Sequence, residues 1–200
     1  MLNYKLDNDF VKIFAEGGIS VERLLALAEN VGFSQWARLD MTALEPRKAV
    51  RDMCASDQCH AYGKNWSCPP ACGPLEQCGR QLNQYEQGVL VQTTSDLEDE
   101  FDFEGLMMVQ HQHKAAFEKL VRQVRTLYPE CLALTAGACT LCHKCTYPNK
   151  PCRFPQKRMS SMEAFGLLVS DVCIKSGLKY YYGSKTITYT SCILIHKKKG

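Results

Sequence analysis

The chain has 200 residues, of which 46% are apolar and 22% charged, with a formal net charge of +3. That is the composition of a soluble globular chain long enough to bury a real core. The charge excess is too small to argue for nucleic acid, and the Lys197 to Lys199 run reads as a solvated end. The opening MLNYKLDNDFVKIF lacks the basic start, apolar run and cleavage site of a signal peptide. No stretch reaches the roughly 18 apolar residues of a spanning helix, so a cytoplasmic location and no membrane partner are expected. Twelve cysteines stand out against that setting. In a reducing compartment a cysteine cluster points to metal or catalysis rather than to disulfides.

In chain order, Ile19 to Val31 carries Val21, Leu24, Leu25 and Ala28 at helical spacing, with Ser20 as N-cap. Phe33 to Leu39 reads as a short strand. Arg51 to Cys78 has little periodicity and many Cys, Gly and Pro, so it reads as a long loop ordered by a ligand or by function. Leu75 to Tyr85 reads as a helix, Gly88 to Thr94 as a buried strand, and Asp96 to Glu104 as an exposed acidic stretch. Phe103 to Tyr128 is the longest helical pattern, with Phe117, Leu120, Val121, Val124 and Leu127 on one face. Cys131 to Thr135 follows as a strand, then a second Cys/Pro loop from Gly137 to Pro155. Ser161 to Gly177 is a predicted helix, and Leu178 to Tyr182 with Thr186 to Ile195 a predicted hairpin turning at Gly183-Ser184. The expected architecture is α+β: one domain over residues 1–200, a single mixed sheet with packed helices, and cysteine-rich metal-binding loops at about 51–80 and 137–155.

The second loop reads CTLCHKCTYPNKPC, with Cys139, Cys142 and Cys145 at spacing three and Cys152 six residues further on. A C-x2-C-x2-C run can wrap one [4Fe–4S] cluster, each thiolate meeting a different iron, with a fourth cysteine from further along. Structural zinc more often uses two separated C-x2-4-C pairs. Gly137 and Ala138 let the backbone approach closely. The spacing departs from bacterial ferredoxins, which place the fourth cysteine after x3 and directly before proline.

The first loop holds Cys54, Cys59, Cys68, Cys72 and Cys78, a spacing that matches no standard zinc finger. Four thiolates complete a cluster, so one of the five is surplus. Pro69 and Pro70 stiffen the chain after Cys68, and Gly63 and Gly73 permit tight turns. Trp66 is either a shield against water or a core anchor, and Lys64 either offsets cluster charge or is simply exposed.

The stretches CHAYGKNWSCPPACGPLEQC, CTLCHKCTYPNKPCRFP, SMEAFG and LKYYYG resemble an uncharacterised family of predicted metal-binding proteins, a domain of unknown function found mainly in anaerobic bacteria and archaea. The resemblance runs from about residue 20 to residue 195. It implies a metal site at Cys54, Cys59 and Cys68, and another at Cys139, Cys142, Cys145 and Cys152. The family's first motif ends in a pattern similar to Leu75-Glu76-Gln77-Cys78, which favours Cys78 over Cys72 as its fourth ligand. Cys131, Cys173 and Cys192 fall in neither motif and read as small buried apolar residues.

His60 and His143 adjoin cysteines and read as neighbours before ligands. His111 and His113, two apart on a predicted helix, point to different faces. One side of the Tyr180 to Tyr182 strand is expected to pack in the core. There is no G-x-G-x-x-G, P-loop or nucleophile motif. Three readings follow: a carrier with one or two [4Fe–4S] clusters and a redox protein partner, a redox enzyme with one site-differentiated cluster, or a structural zinc module.

Overall fold

The computed structural model describes residues 20–99 and 101–196; Ile19, Glu100 and the Lys197 to Lys199 run lie outside them. Its elements are α1 (Val21–Val31), β1 (Gln35–Arg38), α2 (Lys48–Ala55), α3 (Leu75–Leu82), β2 (Gln87–Asp96), α4 (Phe103–Leu127), β3 (Leu132–Thr135), β4 (Ser160–Ser161), α5 (Val169–Lys175) and β5 (Thr186–Ile195). Single 3-10 turns lie at Met41–Ala43 and Glu163–Phe165. Among the described residues no helix is long and apolar enough to cross a membrane.

The strands form one mixed sheet in the order β1-β2-β5-β3-β4. All neighbours run antiparallel except β3 and β4. β2 and β5 pair along their whole length, from Gln87 with Ile195 to Asp96 with Thr186. Side chains alternate between faces along a strand, and here both faces are covered. Val89, Val91, Ala133, Ile193 and Ile195 pack against Leu24 and Leu27 of α1 and Phe117, Leu120 and Val124 of α4. Leu90, Leu134, Cys192 and Leu194 face the other way, onto Leu82 of α3, Phe165, and Val172 and Cys173 of α5. Double coverage is why the β2 core, Gly-Val-Leu-Val, is an unbroken apolar run.

Three expected elements differ. The loop at Arg51 to Cys78 is helical at both ends, in α2 and α3. The helix expected over Ser161 to Gly177 is broken, and only Val169–Lys175 is α-helical. Gly166 adopts φ +79°, which ends the preceding turn. A Cβ there would lie 2.5 Å from Leu75 Cδ1 and 3.1 Å from the Arg47 nitrogen. The hairpin is absent: Leu178 to Tyr182 is irregular, and β5 pairs with β2 and β3 instead. Buried Gln92 explains the difference, because Tyr182 Oη donates to its Oε1 (2.9 Å) while its Nε2 donates to the Lys179 carbonyl (2.9 Å). Satisfying that buried amide outweighs adding a strand. Tyr180 and Tyr181 are exposed.

Candidate metal centre

Both cysteine loops lie on one side of the molecule and are clipped together. Asn65 sits at the centre of the clip. Its Oδ1 accepts from the backbone N–H and the hydroxyl of Ser67 (both 3.0 Å), and its Nδ2 donates to the Cys139 carbonyl (3.0 Å). The fully buried Ser67 hydroxyl accepts in turn from the Cys139 N–H (3.0 Å). Lys114 reaches from α4 to cap the Ala138 carbonyl at 2.9 Å.

Cys139, Cys142, Cys145 and Cys152 all line one narrow pocket, together with Asn65, Trp66 and Arg158. The Trp66 N–H points at Cys145 Sγ from 3.4 Å, and its indole N–H donates to the Lys150 carbonyl (3.1 Å). The Trp66 ring stands edge-on to Tyr147 with centroids 4.9 Å apart. Trp66 is therefore a roof over the second loop rather than an anchor in the sheet core. Arg153 donates to the Lys144 carbonyl and Thr146 to the Pro151 carbonyl (both 2.9 Å), which closes the loop on itself.

In the first loop, Cys54, Cys59 and Cys68 line a cavity of 330 Å³ with Val50, Met53 and Tyr62. Cys54 comes from the last turn of α2, with its Sγ 3.7 Å from the Glu163 carbonyl. Cys68 is buried, with the Ser67 hydroxyl 3.6 Å from its sulfur. Lys64 pairs with Asp57 at 2.6 Å instead of being held for a cluster.

Cys72 and Cys78 form a third group. Cys78 is 1% exposed, in the core beneath α3. Arg51 Nη1 lies 3.5 Å from Cys72 Sγ and 3.8 Å from Cys78 Sγ, and also donates to the Ala164 carbonyl. Arg51 Nη2 donates to the Gly73 carbonyl at 2.6 Å. The structure thus brings together four of the eight expected ligands at one pocket and three at another, and sets Cys78 apart with Cys72. Arg51 was not singled out by any motif; only its helical spacing of three from Cys54 places it beside the cysteines.

Electrostatics separate these groups. Burial pushes the Cys54 thiol up, with Glu163 and Cys59 adding to it. Burial also raises Cys68, whose neighbours Cys59, Cys139 and Cys145 reinforce the shift. Cys139 is raised by burial and by Cys152, Cys142 and Cys145. Thiols packed against each other resist joint ionisation until a cation compensates them, which is the chemistry of a metal-binding set. The third group is different: the hydrogen bond from Cys72, then Arg51, brings Cys78 down to about 7, while Cys72 is raised by the same contact and by burial.

Among the described residues, no three His, Cys, Asp or Glu side chains already converge on a single-ion geometry. His60 and His143 border a surface groove of 670 Å³ beside Cys142 and Cys145. His111 is exposed and His113 fully buried, so the two do face apart. Cys173 and Cys192 are core residues, and Cys131 is only partly covered.

The family profile of predicted metal-binding proteins called DUF2284 matches residues 37–195. The chain belongs to that family. The match takes in every cysteine described above. Comparison of this DUF2284 chain with curated proteins found no match. Among solved structures, it is similar to epoxyqueuosine reductase from Bacillus subtilis, at 9% identity and a TM-score of 0.42. That similarity covers 89% of this chain and 46% of the other, so the chain spans less than half of that protein.

Proposed function

We propose that this DUF2284 chain is an iron–sulfur redox protein. Cys139, Cys142, Cys145 and Cys152 hold one [4Fe–4S] cluster, and Cys54, Cys59 and Cys68 hold a second with one position left to an outside ligand. The observation that carries this reading is the meeting of the two sets at Cys68, which neighbours Cys139 and Cys145 across the Asn65–Ser67 clip. The donors this chain supplies are all thiolates, the usual ligands of such clusters. When bound, the group supplies one-electron transfer.

The protein's own residues do the rest. The Trp66 backbone N–H aimed at Cys145 Sγ stabilises negative charge on that sulfur and would raise the reduction potential of a cluster held there. The Trp66 and Tyr147 rings pack edge-on beside the second loop. The groove beside Cys142 and Cys145, edged by His143 and Lys144, is the approach for a redox partner. The open 330 Å³ cavity favours a second reading, in which a small substrate binds beside Cys54, Cys59 and Cys68 and the protein is a redox enzyme.

Protein purified without oxygen should contain about eight irons and as many acid-labile sulfides. Cys145→Ser should remove about four of them and leave the rest. A colourless protein with one or two zincs would make the chain a structural zinc module instead.

A further inference from the structure

We propose that Cys72 and Cys78 form a redox-active dithiol–disulfide pair, which exchanges with a small carboxylate-bearing thiol bound in the cavity next to it. Three observations support this. The Cys78 thiol lies 4.0 Å from the Cys72 carbonyl, and both sulfurs lie within 3.8 Å of the same Arg51 nitrogen. None of the ion pairs among the described residues gives Arg51 a carboxylate partner, so the anion it can stabilise is a thiolate. The pair is also unequal in access: Cys78 is sealed in the core, whereas Cys72 lies on the wall of a 420 Å³ cavity with Gln77, Gln81, Arg125, Arg158 and Ser160. Two guanidinium-bearing residues and two amides suit carboxylates.

The access order sets the chemistry. In the disulfide state, the incoming thiolate attacks Cys72 Sγ, the sulfur that faces the cavity. The Cys72–Cys78 bond breaks, and Cys78 leaves as a thiolate beside Arg51, where a stabilised leaving group departs faster. A second small thiolate then attacks the outer sulfur of the mixed disulfide and releases Cys72. Two small thiols lose their protons and become one disulfide, and Cys72 and Cys78 each regain a proton. Run backwards, Cys78 resolves the mixed disulfide at Cys72, and the small disulfide is the oxidant.

The test uses the full chain, purified anaerobically and equilibrated with mixtures of glutathione and glutathione disulfide. Acid quenching, alkylation and peptide mass mapping then read the state of Cys72 and Cys78. A Cys72–Cys78 linkage should grow with oxidant along a two-electron curve while iron content stays constant. Glutathione disulfide should modify Cys72 faster than cystamine, which carries amines in place of carboxylates, and Arg158→Gln should narrow that difference. Arg51→Met should move half-oxidation to an oxidant ratio lower by about tenfold, because the reduced pair loses its cation. The proposal falls if both cysteines remain separately alkylatable over the whole range. It also falls if Cys78→Ser lowers the iron count, since Cys78 would then be a ligand. Zinc in place of iron would remove the cluster reading and leave the outcome for the pair unaffected.

Discussion

His113 lies between two hydroxyls, with Nδ1 2.9 Å from Thr93 Oγ1 and Nε2 2.7 Å from Ser191 Oγ. Its ring packs parallel to Phe117 with centroids 6.2 Å apart and is fully buried. Burial, with a small contribution from Lys114, pushes its pKa down to about 4. The unfolded chain takes up this proton near pH 6.5 and the folded chain only near pH 4, so acid favours unfolding through that window. Stability should fall by about 3 kcal/mol between pH 7 and pH 4 from this residue alone. Urea midpoints of the wild type and His113→Gln at both pH values check it, and the variant should lose the His113 share of the pH dependence. At the same scale, Phe117 is fully buried at the centre of the first core. Phe117→Ala should cost about 3–5 kcal/mol in a denaturant titration.

At the scale of elements, the turn from Met162 to Gly166 does more than link β4 to α5. Its Ala164 carbonyl accepts from Arg51, and its Glu163 carbonyl faces Cys54. The Gly166 carbonyl accepts from the Arg47 N–H at 2.8 Å, which ties the turn to the start of α2. Gly166→Ala should therefore lower the melting temperature by several degrees, since an alanine at φ +79° beside Leu75 and Arg47 adds strain of about 1–3 kcal/mol. Iron retained after dialysis against a chelator should fall with it.

Elements governed by local pattern were legible. β1, β2, β3 and β5 lie where alternation and apolar runs place them, and α4 follows its stripe from Phe103. Where a distant group decides, periodicity was silent. Nothing near Leu178 announces that its segment will be bent to satisfy Gln92, and nothing near Ser161 shows that Gly166 must admit Leu75. The cysteine spacings marked both loops. They could not show that Cys78 turns inward to Arg51 and Cys72, because that depends on how α2 packs on the Glu163 turn.

At the scale of the whole molecule, the two loops are one unit. The Ser67 hydroxyl and the Asn65 amide satisfy backbone groups of Cys139, which is 72 residues from Ser67. Asn65→Ala takes a partner from the Cys139 carbonyl and from the buried Ser67 N–H and hydroxyl, a loss of about 1–3 kcal/mol. It should lower iron retention in both cysteine sets together, read as total iron after chelator challenge. Loss from the second set alone would show that the loops load independently.

The place of β5 has a bearing on biosynthesis. It is the last described strand, yet it lies in the middle of the sheet and pairs with β2 about a hundred residues earlier. Neither core can close until Thr186–Ile195 has emerged from the ribosome. All twelve thiols are translated before that moment or within it. The nascent chain therefore offers its cysteines to oxidants and stray metals before the scaffold that sorts them exists, and correct loading has to wait for β5.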